Sequence, residues 1–185
     1  MTKVIAGMTI SVDGFVTDRH GDLGPLYTDL ESLQDTDYMR ELIEQTGAVL
    51  MGRRSFEVGD PDTYADNYEL QAPIFVVTHQ PPAKHPKEND KLTFTFATDG
   101  IESATAQARA AAGDKDVQVI GGADVIQQLL RAGLVDQLNI DVMPLLLGSG
   151  TRLFDGRPGL EGIRLEKREV KETGARTSLI FRVVR

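Results

Sequence analysis

Short apolar runs alternate with helix-length stretches along most of this chain, and that alternation limits the fold more than any other feature. "KVIAGMTI" (3–10), "AVLM" (48–51), "PIFVVT" (73–78), "KLTFTFA" (91–97) and "VQVI" (117–120) read as strands. Between them, "LQDTDYMRELIEQTG" sets Tyr38, Met39, Leu42 and Ile43 on one helical face and stops at Gly47. "GIESATAQARAAAG" turns Ile101, Ala104, Ala108 and Ala111 or Ala112 inward. "ADVIQQLLRAG" does the same with Val125, Ile126, Leu129 and Leu130, and stops at Gly133. "LVDQLNIDVMPLLLG" is a long apolar strand ended by Pro144. Strand–helix–strand units of this kind build a parallel sheet covered on both faces.

The C-terminal part breaks the rhythm. "GIRLEKREVKET" and "RTSLIFRVVR" alternate around "TGA" and read as an antiparallel hairpin. The expected fold class is therefore α/β, with three layers, a mostly parallel central sheet, an antiparallel C-terminal hairpin and helices on both faces. The 185 residues fit a single domain, 1–185, with no linker and no repeat.

Composition narrows the function classes. A net charge of −8 argues against a general nucleic-acid surface, which needs a basic footprint. No run approaches the roughly 18 apolar residues of a membrane span, and the first residues lack the pattern of a signal peptide. There are no cysteines, hence no disulfide and no thiolate metal site, and no metal site is expected. A cytoplasmic enzyme acting on a small molecule is the plain expectation.

Three strand ends carry the chemistry, because ligands of open α/β sheets bind beyond the carboxyl ends of the strands. In "MGRRSFE", Gly52 releases the chain from its strand and Arg53, Arg54 and Ser55 follow. That is either an anion site or a basic turn held by Glu57. In "VIGGADVIQQLL", Gly121 and Gly122 strip side chains just before a helix begins at Ala123. This is a phosphate cradle or merely a tight turn, and it lacks the G-x-G-x-x-G fingerprint. In "MPLLLGSGTRLFDG", Gly148, Ser149 and Gly150 form a turn before Thr151 and Arg152, a hairpin turn or part of the same rim.

Taken together, "ISVDG", "VLMGRRSFE", "QVIGGADVIQQLL" and "PLLLGSGTRLF" resemble the dihydrofolate reductase-like fold. Within it, the chain most resembles the reductase domain of the riboflavin-biosynthesis deaminase–reductase, as a stand-alone member. The resemblance spans the chain and implies NADPH as hydride donor. It implies that Arg53, Arg54 and Ser55 hold the 2'-phosphate and neighbouring oxygens, with Gly52 beneath them. It implies further that Thr78 and His79 flank the adenine, and that Gly121, Gly122, Ala123, Asp124 and Val125 meet the pyrophosphate and nicotinamide. The resemblance also implies that Thr151 approaches the nicotinamide-side ribose and that Ala6, with Gly14 and Phe15 of the loop around 12–15, packs on the nicotinamide. The family's Gly-Gly peptide is cis. Asp124 departs from the arginine often found there in folate reductases and is expected to point away.

The implied activity is hydride transfer to a C=N or C=O of a small heterocyclic or sugar-linked substrate. The nearest assignment is 5-amino-6-(5-phosphoribosylamino)uracil reduction. Dihydrofolate reduction and non-catalytic NADPH binding are the alternatives. "FEVGDPDTYADNYELQAP" holds no Lys or Arg, which counts against a folate glutamate tail. A substrate phosphate has Arg19, Arg40, Arg152 and Arg157 as candidate partners. Asp37 and Asp35 are the candidate catalytic acids, although the residues by themselves read more readily as solvated members of a helix start; Asp13 reads as a turn-shaper. The resemblance also implies a homodimer, and the apolar strand near 138–147 is either a central strand or a partner-covered one.

Overall fold

The first strand of each βα unit ends where the next helix must cross back, so successive strands add in parallel. The computed structural model describes residues 2–184, and its single sheet runs in the order β4-β3-β2-β5-β1-β6-β8-β7. The strands are β1 (Val4–Ser11), β2 (Thr46–Gly52), β3 (Ile74–Val77), β4 (Phe94–Ala97), β5 (Asp116–Ile120), β6 (Gln137–Met143), β7 (Arg164–Thr173) and β8 (Arg176–Val184). The first six pair in parallel; β8 lies antiparallel on β6, and β7 antiparallel on β8. The α/β class and the closing hairpin stand as expected.

Two buried clusters hold the layers. Val4, Ala6, Leu50, Val117 and Val119 of the sheet pack against α5 (Ile101–Ala112) and α6 (Ala123–Arg131). On the opposite face, Val49, Met51, Ile74 and Val76 pack on Phe56, Leu70 and Leu92. That face also carries α1 (Leu30–Gln34), α2 (Asp37–Gln45), α3 (Arg53–Phe56) and α4 (Tyr64–Asn67). The period-2 alternation of β2 and β3 across the sheet plane explains why neighbouring residues join different clusters.

Three expectations for the first helix change. The stretch breaks at 35–36 into α1 and α2, because the Thr36 hydroxyl accepts from the Met39 amide at 3.2 Å and caps a new start. Ile43 is 41% exposed and leaves the inward face to Tyr38, Met39 and Leu42. Gly47 is not a helix stop; it lies inside β2, where a Cβ would stand 2.4 Å from the Ala112 carbonyl oxygen. The glycine admits the end of α5 against the sheet. The apolar run 134–148 is strand only over Gln137–Met143, between β1 and β8, and Leu146 is exposed. The strand is thus an interior one. Among the described residues, no helix is long and apolar enough to cross a membrane.

Candidate active-site cleft

The carboxyl ends of β1 to β5 open into one cleft of about 1300 Å³. Most single-ligand pockets hold roughly 300–1,000 Å³, so this one has room for a dinucleotide and a second small molecule. Its centre is the meeting of β2 and β5. The Gly52 amide donates to the Gly121 carbonyl at 3.1 Å, and the Gly121–Gly122 peptide is cis. Gly121 has φ +70°, and a Cβ there would lie 2.9 Å from Ser55 Oγ and 3.2 Å from Met8 Cε. Three elements approach one backbone point that only glycine leaves open.

From that point α6 departs. Its N-cap, Gly122, offers no side-chain acceptor, so the first-turn amides of Ala123, Asp124 and Val125 are left without a side-chain cap at the cleft wall. With the helix dipole they form a positive edge suited to an anion. Asp124 would oppose that, but its carboxylate pairs with Arg157 at 2.8 Å and accepts from Gln128. Asp155 holds the same guanidinium at 2.6 Å. The charge of Asp124 is therefore offset by Arg157 beside the helix start.

The arginine pair after β2 divides its work. Arg53 donates to Glu57 at 2.8 Å. Arg54 is exposed, lines the cleft, and has no ion pair or side-chain hydrogen bond among the described residues. Thr78 is buried and closes the turn after β3: its hydroxyl donates to Gln80 O at 2.7 Å and accepts from Gln80 N at 3.2 Å. His79 beside it lines the cleft.

A second rim is built by two loops that clasp each other. Asp13 accepts from Ser11 Oγ at 2.6 Å and from the amides of Leu147 and Gly148 at 3.1 and 2.7 Å. The Ser11 hydroxyl and then these amides hold its carboxyl at about 2. Asp13 is thus the turn-shaper expected. The Val16 amide donates to Thr151 O at 2.8 Å, and Arg152 lies over Phe15, 4.4 Å from the ring centroid. Thr151 lines the cleft as expected.

Of the expected contacts, Gly52 to Ser55, Thr78, His79, Gly121 to Val125 and Thr151 border this one cleft. Ala6 does not: it is fully buried beneath α5 and α6, and Gly7 and Met8 further along β1 take its place. Gly14 and Phe15 also stand behind the rim; Phe15 is buried under Arg152, and Val16 and Thr17 face the cleft instead. Asp35 and Asp37 lie in solvent, outside the cleft, and Asp37 pairs with Arg40 on its own helix.

The cleft continues onto the α1–α4 face between two segments that the sequence did not single out. One, around Pro25, brings Leu23 and Tyr27; the other brings Tyr64, Asn67 and Tyr68 beside Met51. The Tyr64 and Tyr68 rings are 4.9 Å apart. Burial pushes both the Tyr27 and Tyr68 phenols well above their ordinary range, so each keeps its proton at neutral pH. The i, i+4 spacing of Tyr64 and Tyr68 was the available signal for this wall.

Behind Tyr27 lies a closed ionic network. Arg176 donates to both oxygens of Asp29 at 2.7 Å and to Thr9 Oγ1 at 2.8 Å, and lies 3.6 Å from Asp141. Asp141 also accepts from Ser178 and from Tyr38. The Arg176 side chain is 4% exposed, and its guanidinium carbon lies 5.4 Å from the Tyr27 ring centroid.

Comparison with known proteins agrees with this fold. YyaP, an uncharacterized protein of Bacillus subtilis strain 168, is 26% identical over 164 residues, covering 82% of this chain and 80% of its own. A putative riboflavin biosynthesis protein from Shewanella sp. PV-4 superposes with a TM-score of 0.75 at 21% identity, over the whole of both chains. The diaminohydroxyphosphoribosylaminopyrimidine deaminase/5-amino-6-(5-phosphoribosylamino)uracil reductase of Thermotoga maritima superposes with a TM-score of 0.66 at 17% identity. There the match covers 99% of this chain and 57% of that one. The RibD C-terminal domain family model matches residues 2–179, and the chain belongs to that family.

Proposed function

We propose that this chain is an NADPH-dependent reductase that transfers hydride to a C=N or C=O of a small heterocyclic substrate. The observation that carries the reading is the unpaired Arg54 beside an uncapped helix start and a glycine that three elements crowd. Arg54, with Arg53 and Ser55, would hold the 2'-phosphate; guanidinium groups suit its geometry and charge. The first turn of α6 would hold the pyrophosphate, His79 and Thr78 would flank the adenine, and Thr151 would approach the nicotinamide-side ribose. Bound there, the cofactor supplies a hydride. The chain supplies orientation, a partly water-shielded wall and, at the far end, the proton-bearing phenols of Tyr27 and Tyr68. The same reading places the enzyme in the cytoplasm, within reach of a reduced nicotinamide pool.

Titration of the protein with NADPH and NADH, followed by NADPH oxidation across a panel of imines and carbonyls, tests it. NADPH is expected to bind at least tenfold more tightly than NADH. Arg54→Ser should weaken NADPH by roughly 10- to 150-fold, the equivalent of about 1.5–3 kcal/mol for a charged hydrogen bond, and leave NADH unmoved. Equal binding of the two nucleotides would refute the assignment of the arginines. NADPH binding without oxidation by any acceptor would favour a non-catalytic binding protein.

The reading extends to a homodimer. Leu165 and Val170 of the edge strand β7 are 44% and 50% exposed and pair with the half-buried Val183 and Leu179 on the same face. Sedimentation should show a dimer, and Val170→Asp should shift it toward monomer; a wild-type monomer at micromolar concentration sinks this part.

A further inference from the structure

We infer that the acceptor is a planar heterocycle whose distal end carries no phosphate or other anionic group, in contrast to a phosphoribosyl pyrimidine. The inference rests on the reductase reading and names the substrate class of the same cleft. The far end is walled by Leu23, Tyr27, Met51, Tyr64, Asn67 and Tyr68. Aromatic faces accept a flat ring by stacking, and the phenol hydroxyls and an amide read ring nitrogens and oxygens by hydrogen bonds. None of these six can neutralise a dianion. The segments that supply this wall, 21–30 and 56–73, contain no lysine or arginine at all.

The cations elsewhere on the cleft are already engaged. Arg53, beside Glu57, belongs with Arg54 to the cofactor end in the proposed reading, and Arg157 is held between Asp124 and Asp155. Arg152 lies on the Phe15 ring and donates to the Asp13 carbonyl at 3.2 Å. Arg54 is taken by the cofactor in the proposed reading. Arg176, directly behind Tyr27, is buried and saturated by Asp29, Thr9 and Asp141. Arg19 turns its Nε to His20 and Arg40 pairs with Asp37, and neither borders the cleft. A phosphate seated at the far end would lose water and gain no opposite charge, and buried ions without a partner are strongly disfavoured. Asp29 and Asp141 behind the wall, and the net charge of −8, add repulsion.

Calorimetric binding to the NADP⁺-saturated protein tests this without requiring turnover. The probes are 5-amino-6-(5-phosphoribosylamino)uracil and its dephosphorylated ribosylamino counterpart, which differ only in the phosphate. The dephosphorylated compound is expected to bind at least tenfold more tightly. Asn67→Lys, which adds one cation to the wall, should narrow that ratio by about tenfold by strengthening the phosphorylated ligand. Tighter binding of the phosphorylated compound to the wild type overturns the inference, as does binding of neither. The nucleotide titration is read separately, so a protein that binds NADPH yet prefers the phosphorylated acceptor defeats the inference and leaves the reductase reading standing. Failure to bind NADPH defeats the reading itself.

Discussion

Replacing Arg176 by methionine is expected to lower the unfolding free energy by about 3–5 kcal/mol, the range for removing one partner of a buried ion pair. For a domain of this size that corresponds to a fall of roughly 6–20 °C in Tm. Arg176 joins β8, β1, β6 and the segment before α1 through Thr9, Asp141 and Asp29, with its side chain only 4% exposed. Methionine fills much of the volume but leaves two largely buried carboxylates, Asp29 and Asp141, without their shared cation. The hydrogen bonds from Arg176 hold the Asp29 carboxyl below its ordinary range in the wild type. A depressed carboxylate stabilises the fold above its unfolded pKa of about 3.9, and the contribution is lost as pH falls through the folded value. Without Arg176, burial favours the protonated form of Asp29 instead. The variant's deficit should accordingly be largest at neutral pH and shrink toward pH ~4. Asp29→Asn combined with Arg176→Met should recover part of the loss, since the uncompensated charge is gone. Urea denaturation at pH 7 and near pH 4 reads both effects. A deficit under about 1 kcal/mol at pH 7 would show that the network contributes no more than a surface pair.

The alternation of apolar runs and helical stretches was enough to lay out the sheet, because each parallel strand must be buried on both faces and followed by a covering helix. The carboxyl-end rule then located Arg54, Gly121 and Thr151 on one cleft before any distance was known. Position along a strand was harder to read. Ala6 and Met8 share a face of β1, yet only Met8 reaches the cleft, and that depends on how far α5 and α6 extend over the sheet. Gly47 shows the same limit: a glycine after a helical pattern reads as a stop until α5, far along the chain, is seen to press on it. Asp37 and Tyr27 illustrate opposite errors. A carboxylate at a helix start looks functional by type but has a local partner, Arg40. Tyr27, within a turn-rich loop, has nothing local to mark it and is set in place by Arg176, 149 positions away. Tertiary contacts of that separation leave no periodicity in the sequence.

Gly121→Ala is expected to remove cofactor binding out of proportion to its effect on stability. At φ +70° any side chain is strained by about 1–2 kcal/mol. Gly113, with φ +61° and ψ −122° at the end of α5, is also confined to glycine by its backbone but has open space where its Cβ would go. Both substitutions should therefore lower stability through the backbone alone. At Gly121 the added methyl also meets Ser55 Oγ at 2.9 Å and Met8 Cε at 3.2 Å. Ser55 belongs to the arginine turn, Met8 to the central strand, and Gly121 itself leads into α6, so relief of the contact shifts the elements that would grip the two ends of the cofactor. NADPH affinity should fall more than tenfold in Gly121→Ala, a difference of at least about 1.4 kcal/mol, and stay within twofold of wild type in Gly113→Ala. Fluorescence titration with NADPH beside thermal unfolding of the same samples separates the two effects. Equal losses of affinity in the two variants would mean that the glycine step is only a turn; a loss confined to Gly121→Ala makes it part of the cofactor platform.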